Sequence, residues 1–193
     1  YSYRVFANDS AGNQSASATR HAYVDVAGPT VSFVTPTPAN GTYGASYVYV
    51  NVTATDGASI ISNCTLEWNG VNETMQLNSS VNGVSRFCFV NKTSLADGNY
   101  SYRVFSNDTL NNSAASATRH AYVDTVRPLL TFQNPAPANG TYGVTYVFVN
   151  MSVNDSSLSI DTCRLEWNAV NETMTRHGSG TSVFCSTNKT ALS

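Results

Sequence analysis

The sequence predicts an all-β protein in which short strands form packed pairs of sheets. No stretch of ten or more residues repeats its apolar side chains at the helical spacing of three or four positions. Short runs that alternate apolar and polar residues are instead separated by clusters of Gly, Pro, Asn and Asp. This is the pattern of β-strands joined by turns. An internal repeat is the third observation, and it indicates more than one such sandwich.

The repeat is clearest between residues 1–25 and 100–124, which are offset by 99 positions and identical at 19 of 25. Further along, CTLEW at 64–68 returns as CRLEW at 163–167. Self-similarity at a fixed period predicts a tandem array of similar domains. The connectors, 25–29 and 124–128, each run from Asp to Pro with three residues between, so we expect stiff junctions.

The phase of the repeat divides the chain into three predicted parts. Residues 1–25 are the C-terminal strands of a preceding unit, residues 29–124 are a complete domain, and residues 128–193 are a domain lacking its last two strands. An equivalent of 1–25 would complete that last domain. This phase is expected of a window on a longer polymer, and the alternative is a fragment of a two-domain protein.

Seven strands are predicted in the complete domain, a number typical of immunoglobulin and fibronectin type III domains. They lie near residues 30–34, 46–55, 61–69, 72–78, 84–91, 99–107 and 115–123. The predicted fold is therefore a tandem of seven-stranded, immunoglobulin-like β-sandwiches. One strand is ambiguous, because Phe87 and Phe89 oppose Cys88 and Val90, so it is either covered on both faces or bulged.

The other strands have a clear inner face. The residues from Val48 to Ala54 alternate apolar and polar, and 147–153, 64–69 and 100–105 repeat this pattern. Four aromatic residues fall on the predicted outer faces, namely Tyr47, Tyr49, Phe105 and Phe148. We expect them to contact glycans, another chain or domain, or cross-strand neighbours.

Composition excludes several classes of function. The net charge is −2 and only 11% of the residues are charged, against about a quarter in typical soluble domains. No basic stripe favours nucleic-acid binding. No basic amphipathic segment and no long apolar run favour direct membrane insertion.

Asparagine takes the place of charge at the predicted surface. Of 21 Asn residues, 16 open an Asn-X-Ser/Thr triplet without Pro, about three times the number expected by chance for N-glycosylation acceptors. They are Asn8, Asn13, Asn40, Asn51, Asn63, Asn72, Asn78, Asn91, Asn99, Asn107, Asn111, Asn139, Asn150, Asn154, Asn171 and Asn188. The alternative is that Asn-rich turns create triplets incidentally.

The cysteines fall at matching repeat positions, as one pair per unit: Cys64 with Cys88, and Cys163 with Cys185. Their spacings do not fit a zinc finger or ribbon, and no CxxC occurs. We predict one structural disulfide in each domain, in an oxidising compartment. Reduced, buried thiols are the alternative.

Catalytic and metal signals are weak. His21, His120 and His177 have no neighbouring Cys or second His in sequence, so we predict no enzyme activity. Seven acidic residues lie in turns or junctions, where a side chain that bonds the local backbone is the commoner explanation. They are Asp9, Asp25, Asp56, Asp97, Asp108, Asp124 and Asp155. No cofactor and no metal ligand set is predicted, with calcium bound between domains as the alternative.

These motifs have a familiar order: NGTYG, VNVTATD, CTLEWNG, SLADGNYSYRVFSND and VDTVRP. Over the whole chain they resemble tandem immunoglobulin-like or fibronectin-III-like repeats of archaeal and bacterial surface glycoproteins, with archaeal ones most similar. The resemblance implies a cell-surface location and a role in S-layers, adhesins, filaments or spacers. The placement of Cys64 and Cys88 on the third and fifth predicted strands differs from the pattern of antibody domains. Fold likeness does not assign function.

We therefore expect a structural, N-glycosylated extracellular protein whose partners are copies of itself in a homopolymer. Strand addition is a candidate mode of end-to-end joining, in which 1–25 supply strands to 128–193 of a neighbour. The alternative is an adhesin stalk or a carbohydrate-binding spacer module of a larger surface protein.

Overall fold

The computed structural model describes residues 1–78 and 83–192. Within these ranges every regular element is a β-strand, and there is no helix that could cross a membrane. The strands of the first half are β1 (Ser2–Tyr3), β2 (Phe6–Asn8), β3 (Gln14–Ala16), β4 (Arg20–His21), β5 (Thr30–Phe33), β6 (Gly41–Tyr43), β7 (Val48–Thr55), β8 (Ile61–Trp68), β9 (Val71–Thr74), β10 (Gln76–Leu77) and β11 (Ser85–Lys92). Those of the second half are β12 (Gly98–Asp108), β13 (Ser113–Ala115), β14 (Arg119–Val123), β15 (Leu129–Phe132), β16 (Val147–Asn154), β17 (Arg164–Trp167), β18 (Val170–Thr173), β19 (Thr175–His177) and β20 (Ser182–Lys189).

Two larger sheets form from β5 to β14. One has four antiparallel strands in the order β10-β11-β7-β5, and the other has the order β6-β14-β12-β8-β9 with β13 paired to β12. The short pairing of β6 with β14, which joins residues 41–43 to residues 121–123, is parallel. The fold is an all-β sandwich, as the alternation of the sequence predicts.

Alternation along each strand produces the core. Val48, Val50, Val52 and Ala54 are buried on β7, and the residues between them are half-buried. On β8 and β12 the same rule buries the positions predicted to face inward: Cys64, Leu66, Trp68, Tyr102 and Val104. The predicted inner faces are therefore confirmed. Because successive side chains of a strand point to opposite faces, apolar burial fixes the register of each pairing.

The segment predicted as one strand over 72–78 is two strands. β9 pairs with β8, whereas β10 pairs with β11 in the other sheet. The chain changes sheets at Met75, whose side chain is buried. Sequence periodicity did not reveal this change, because the alternation of side chains continues through the crossing point.

Two more strand predictions need correction. The strand predicted over 115–123 is divided, because β13 ends at Ala115 and β14 begins at Arg119. The sequence analysis also missed β6, which is only three residues long and pairs with β14 through Gly41 and Ala121. Such short, Gly-containing pairings have no alternating pattern to detect.

The ambiguous strand at Cys88 is regular. β11 keeps continuous register with β7 from Ser85 opposite Thr55 to Lys92 opposite Val48, so it carries no bulge against that strand. Cys88 points into the core, and Phe89 stacks on Tyr49 of β7 with ring centroids 6.1 Å apart. Apolar residues occur at both parities because an aromatic pair covers part of the outer face.

The remaining strands form smaller sheets. Strands β15-β16-β20-β19 make a four-stranded sheet, and β17 pairs with β18. Their core contains Val149, Val153, Ile160, Met174 and Val183, together with the second cysteine pair. Near the N-terminus, β1 pairs with β4 and β2 with β3. The chain divides into two compact units: 1–39, 48–92 and 101–120 form one, and 40–47, 93–100 and 121–193 form the other.

Candidate functional site

Both predicted disulfides are formed. Cys64 on β8 is bonded to Cys88 on β11, and Cys163, just before β17, is bonded to Cys185 on β20. All four cysteines of the sequence are thereby paired. The first bond links the six-stranded to the four-stranded sheet. Each bond closes a loop of 24 or 22 residues, which restricts the unfolded chain and so stabilises a domain with a small core.

The acceptor asparagines lie mostly at the surface. Thirteen of the 16 are exposed, and Asn51, Asn107 and Asn150 are half-buried. The side-chain amide of Asn51 donates to the carbonyl of Thr35 at 3.2 Å, and that of Asn150 donates to the carbonyl of Asn134 at 3.0 Å. Residues 79 and 80, which complete the triplet of Asn78, lie outside the described residues. Glycosylation itself stays a prediction.

Three of the seven turn and junction aspartates lie together. One carboxylate oxygen from each of Asp25, Asp56 and Asp108 falls within 4.8 Å of the others. Asp25 Oδ2 is buried and has no hydrogen-bond partner among the described residues. The group offers three of the six to eight oxygen ligands that Ca²⁺ takes, so the calcium alternative rests on these residues.

Hydrogen bonds hold the two buried carboxylates ionised. Asp56 Oδ1 accepts from the backbone N–H groups of Ser59 and Ala58, both at 2.8 Å, and these bonds lower the pKa of Asp56 against burial and the nearby charge of Asp108. For Asp108, burial pushes the pKa upward, but hydrogen bonds from Ser59 and Asn112 outweigh it, and the pKa is lowered. Ser59 Oγ donates to Asp108 Oδ2 at 2.6 Å.

The other four aspartates bond within turns or to nearby segments. The backbone N–H groups of Leu158 and Ser157 lower the pKa of Asp155, and Asn13 lowers that of Asp9. Asp124 accepts from the N–H of Val126, and Asp97 accepts from Thr125. The bonds of Asp9, Asp124 and Asp155 are the local ones expected of turn-forming aspartates, whereas Asp97 bonds a residue 28 positions away.

In residues 100–124 the repeat segment packs against the rest of its unit. Tyr102 is 1% exposed and Val104 is 0% exposed. The Tyr102 ring stacks on Trp68 with centroids 5.4 Å apart, and its hydroxyl donates to the carbonyl of Pro38 at 2.9 Å. On the outer face the guanidinium of Arg103 donates two hydrogen bonds, both 3.0 Å long, to the carboxylate of Glu67.

The nearly identical residues 1–25, called the N-terminal hairpin below, are exposed. Tyr3, the equivalent of Tyr102, is 53% exposed, and Val5, the equivalent of Val104, is 65% exposed. Of the 25 residues only Asp25 is half-buried. A monomeric protein rarely exposes so many large apolar residues in one segment, and such patches mark interaction surfaces.

A second exposed surface lies on residues 129–173, which repeat the strands that pack against residues 100–124. There β17 spans only Arg164–Trp167, and within the described residues its edge opposite β18 has no partner strand. Residues 140–142, equivalent to β6, form no strand. Phe132 and Tyr142 are exposed. Phe132, Pro137 and Trp167 are the repeat equivalents of Phe33, Pro38 and Trp68, which all contact Tyr102. We call these three residues, together with Tyr142 and Leu165, the acceptor face.

One cavity is lined in part by residues of the acceptor face, and a second cavity lies elsewhere in the same compact unit. One of about 480 Å³ is lined by residues that include Ala136, Pro137, Tyr142 and Tyr146. The other, of about 450 Å³, is lined by residues that include Met151, Ile160 and Cys163, with Asp124 and Asp155 at its side. They are mostly apolar concavities of the size that receives side chains or small ligands.

The predicted outer aromatics have mixed roles. Tyr49 stacks on Phe89, and the guanidinium of Arg103 lies 4.7 Å from the ring centre of Phe105, so both cover cross-strand or adjacent neighbours. Tyr47 is exposed and Phe148 lines the cavity at Pro137.

The three histidines are exposed, and His177 Nε2 lies 2.8 Å from Ser186 Oγ on the neighbouring strand. Sequence analysis did not single out Glu67, Glu166, Tyr3 or Arg4, although their repetition at fixed spacing was a usable signal.

Comparison with solved structures finds distant structural similarities. The chain is similar to the fibronectin(III)-like modules of CbhA from Clostridium thermocellum, at 15% identity and a TM-score of 0.42, over 84% of this chain and 80% of that one. Dimeric latent PorU from Porphyromonas gingivalis matches at 13% identity and a TM-score of 0.46, over 84% of this chain and 16% of that one. A mutant of the SrpA adhesin from Streptococcus sanguinis matches at 12% identity and a TM-score of 0.35, over 79% of this chain and 95% of that one. No family model and no curated protein matches the sequence.

Proposed function

We propose that this chain is a structural repeat of an N-glycosylated extracellular filament or surface layer that is assembled from copies of itself. A single observation carries the proposal: the same repeat segment is buried at 100–124 and exposed at 1–25, while a matching acceptor face lies open on 129–189. Each chain therefore carries both halves of one contact. Two different surfaces that fit each other give head-to-tail association, which extends into a filament unless the rotation closes a ring.

The cysteines and the asparagine triplets support the proposed extracellular location. Two disulfides and a surface of exposed Asn-X-Ser/Thr triplets both belong to an oxidising, secretory environment. Glycans on the triplets would supply the hydration that 11% charged residues do not. A protein of this kind needs no cofactor and no catalytic group, and its proposed partner is another copy of itself.

Strand addition is the proposed mode of contact. The free edge of β17 offers backbone N–H and C=O groups, and the N-terminal hairpin offers a strand whose equivalent, β12, pairs with β8. Main-chain hydrogen bonds and buried apolar side chains then act together, as in other cases where an added strand completes a sheet. The same contact forms whether the two repeats belong to one polypeptide or to separate copies.

Concentration-dependent assembly of the 193-residue chain tests the proposal. The oxidised protein is examined by analytical ultracentrifugation and negative-stain imaging over about a thousandfold range of concentration, since association follows mass action. We expect linear oligomers that lengthen with concentration. A protein that stays monomeric throughout contradicts the assembly, and saturable binding of a monomer on a glycan array supports the adhesin or spacer alternative instead.

A further inference from the structure

We propose that a set of polar contacts, called the key below, fixes how one copy docks on the next. In this key Arg4 of one copy pairs with Glu166 of the next, while Tyr3 and Arg20 donate hydrogen bonds to the backbone carbonyls of Ala136 and Pro137, called the carbonyl corner. The contact between the two copies is called the joint. This inference rests on the proposed head-to-tail association and gives its register and its specificity. Its occupant is the N-terminal hairpin of a second copy, seated on the acceptor face.

The ion pair follows from the register of the packed repeat. Tyr102 lies opposite Trp68, Arg103 opposite Glu67 and Val104 opposite Leu66. Because residues 163–167 repeat residues 64–68, the same register puts Tyr3 opposite Trp167, Arg4 opposite Glu166 and Val5 opposite Leu165. A two-pronged Arg–carboxylate pair has fixed geometry, so it specifies orientation as well as attraction.

The carbonyl corner is the second part of the key. In the packed repeat the Arg119 guanidinium donates to the carbonyls of Pro38 at 2.9 Å and Thr37 at 3.3 Å, and it lies 4.2 Å from the ring centre of Phe33. The Tyr102 hydroxyl donates to the same Pro38 carbonyl. Arg119 and Tyr102 thus donate to the same two-residue segment, which restricts the position of their strands relative to it.

The acceptor face presents the same corner with its space open. Ala136 and Pro137 are the repeat equivalents of Thr37 and Pro38, and they line the 480 Å³ cavity. Phe132, equivalent to Phe33, is 69% exposed. Arg20 and Tyr3 of a second copy supply the donors and the ring that this corner accommodates in the packed repeat.

The N-terminal hairpin already has several of the internal hydrogen bonds of its packed equivalent. The N–H of Val5 donates to Ser17 Oγ at 2.9 Å, as the N–H of Val104 donates to Ser116 Oγ at 3.0 Å. The N–H of Ser17 returns to the carbonyl of Val5 at 2.8 Å, a distance that Ser116 and Val104 repeat. A segment that is ordered before it binds loses less conformational entropy on association.

The side chain of Arg4 is also placed as in the packed repeat. Its guanidinium carbon lies 4.4 Å from the ring centre of Phe6, compared with 4.7 Å for Arg103 over Phe105. The Arg4 guanidinium therefore already has the position over the aromatic ring that Arg103 has when it pairs with Glu67.

The turn at the hairpin tip is conserved between the two copies of the repeat. Asp9 accepts from the N–H of Ala11 and from Asn13. Asp108 accepts in the same way from Leu110 and Asn112.

One contact of the packed repeat does not transfer. Ser59 donates to Asp108 at 2.6 Å, but Leu158 stands at the equivalent position of the acceptor unit. Asp9 therefore has no matching hydroxyl, and it is not part of the key.

Specificity depends on Arg4, Tyr3 and Arg20. A slip of one residue would turn apolar side chains to the outer face and move Arg4 away from Glu166.

Reciprocal charge reversal tests the key. Arg4→Glu leaves two carboxylates to meet across the joint, and Glu166→Arg leaves two guanidinium groups. We expect each variant alone to need roughly tenfold or higher protein concentration for assembly than the wild type, since like charges in contact oppose association. In an equimolar mixture, contacts between two copies of the same variant still bring like charges together. In a contact between the two variants, the new carboxylate at position 4 meets the new guanidinium at position 166, or the original Arg4 meets the original Glu166. The assembly threshold of the mixture should therefore return to within about threefold of the wild type.

The mixture also controls for folding. If both variants assemble only when mixed, each must retain its other surfaces, and the mixed joints can be verified by labelling one variant. Variants that assemble singly as well as the wild type overturn the key while leaving head-to-tail association intact. Variants that fail singly and also fail when mixed overturn it too, because the reversed pair should restore the contact. A wild-type protein that does not assemble overturns the proposed function itself.

Discussion

Residues 1–25 and 100–124 are nearly the same sequence in two environments. Tyr102 and Val104 are buried, whereas Tyr3 and Val5 are exposed, although both segments contain the same turn and the same internal hydrogen bonds. The segment itself therefore determines its local conformation, whereas its burial depends on the sheets that are available to pack against it. Local hydrogen bonds form within one hairpin, but apolar burial requires a second surface.

The receiving sheets show the same contrast. In both repeats a Lys pairs with a Glu on a strand of a different sheet and lies 5.6 Å from a Trp ring centre: Lys92 with Glu73 and Trp68, and Lys189 with Glu172 and Trp167. Met75 and Met174 donate the same backbone bond to the cysteine carbonyl. These contacts do not involve residues 100–124, and they are present in both repeats.

The largest expected effect comes from truncating the two equivalent tyrosines. Tyr102→Ala removes a buried ring that stacks on Trp68 and should destabilise its unit by about 4 kcal/mol. Tyr3→Ala removes an exposed ring and should change the unfolding free energy of the dilute chain by less than about 0.5 kcal/mol. Chemical denaturation at low protein concentration measures both.

The same pair separates stability from assembly. At concentrations where the wild type assembles, Tyr3→Ala should assemble poorly although it folds normally. Equal destabilisation by the two substitutions in the dilute chain would mean that the N-terminal hairpin is already packed, and the contrast between the copies would disappear.

The two disulfides allow the stabilities of the two units to be compared. Replacing Cys163 and Cys185 by Ala should lower the stability of that unit by about 3 kcal/mol, and the Cys64 and Cys88 replacement should have a similar effect on the other unit, since the loops are nearly equal. Differential scanning calorimetry of both double variants measures this. If only the Cys64 and Cys88 replacement mattered, the second sheet pair would not be an independently stabilised structure.

Acid should weaken the packed copy through its buried carboxylates. The pKa values of Asp56 and Asp108 lie below their ordinary value of 3.8, so the native state binds fewer protons than the unfolded chain in that range. Their stabilising contribution is complete above the ordinary value and is lost as the pH falls through the lower native values.

Denaturation of Asp108→Asn across the acid range measures the contribution. The variant should be less stable than the wild type at neutral pH, and the two should converge as the pH falls below 3.8, where the native carboxyl of the wild type becomes protonated. Curves that stay parallel at every pH would show that the charge of Asp108 does not contribute.

The smallest expected effect concerns glycan occupancy. Glycosylation joins the sugar to the side-chain nitrogen of Asn, and that nitrogen donates a hydrogen bond in Asn51 and Asn150. Mass spectrometry of the native glycoprotein should find these two acceptors less occupied than exposed ones such as Asn40 and Asn139. Equal occupancy would show that the modification precedes the formation of these hydrogen bonds.

Sequence reasoning predicted the parts of the fold that depend on alternation. The inner faces of β7, β8 and β12 follow from the side-chain period, which is a local property, and both cysteine pairs follow from their matching positions in the repeat. The change of sheets at Met75 and the parallel pairing of β6 with β14 did not follow, because both depend on which strand happens to lie alongside.

The candidate site was predictable only in outline. The repeat phase led to the prediction that 1–25 could complete 128–193. The roles proposed for Arg4 and Glu166 required the register of β12 against β8, and the gathering of Asp25, Asp56 and Asp108 required the folded turns. Residues that are distant in sequence meet through tertiary packing, and neither periodicity nor spacing reports such a meeting.

A cryo-electron microscopy map of the assembled chain that resolves side chains at the contact between copies would test the proposed assembly directly. We predict that Tyr3 of one copy lies against Trp167 of the next, with its hydroxyl at the Pro137 carbonyl and Arg4 at Glu166. A map in which the acceptor face is covered by another surface, or in which the N-terminal hairpin stays in solvent, would contradict it.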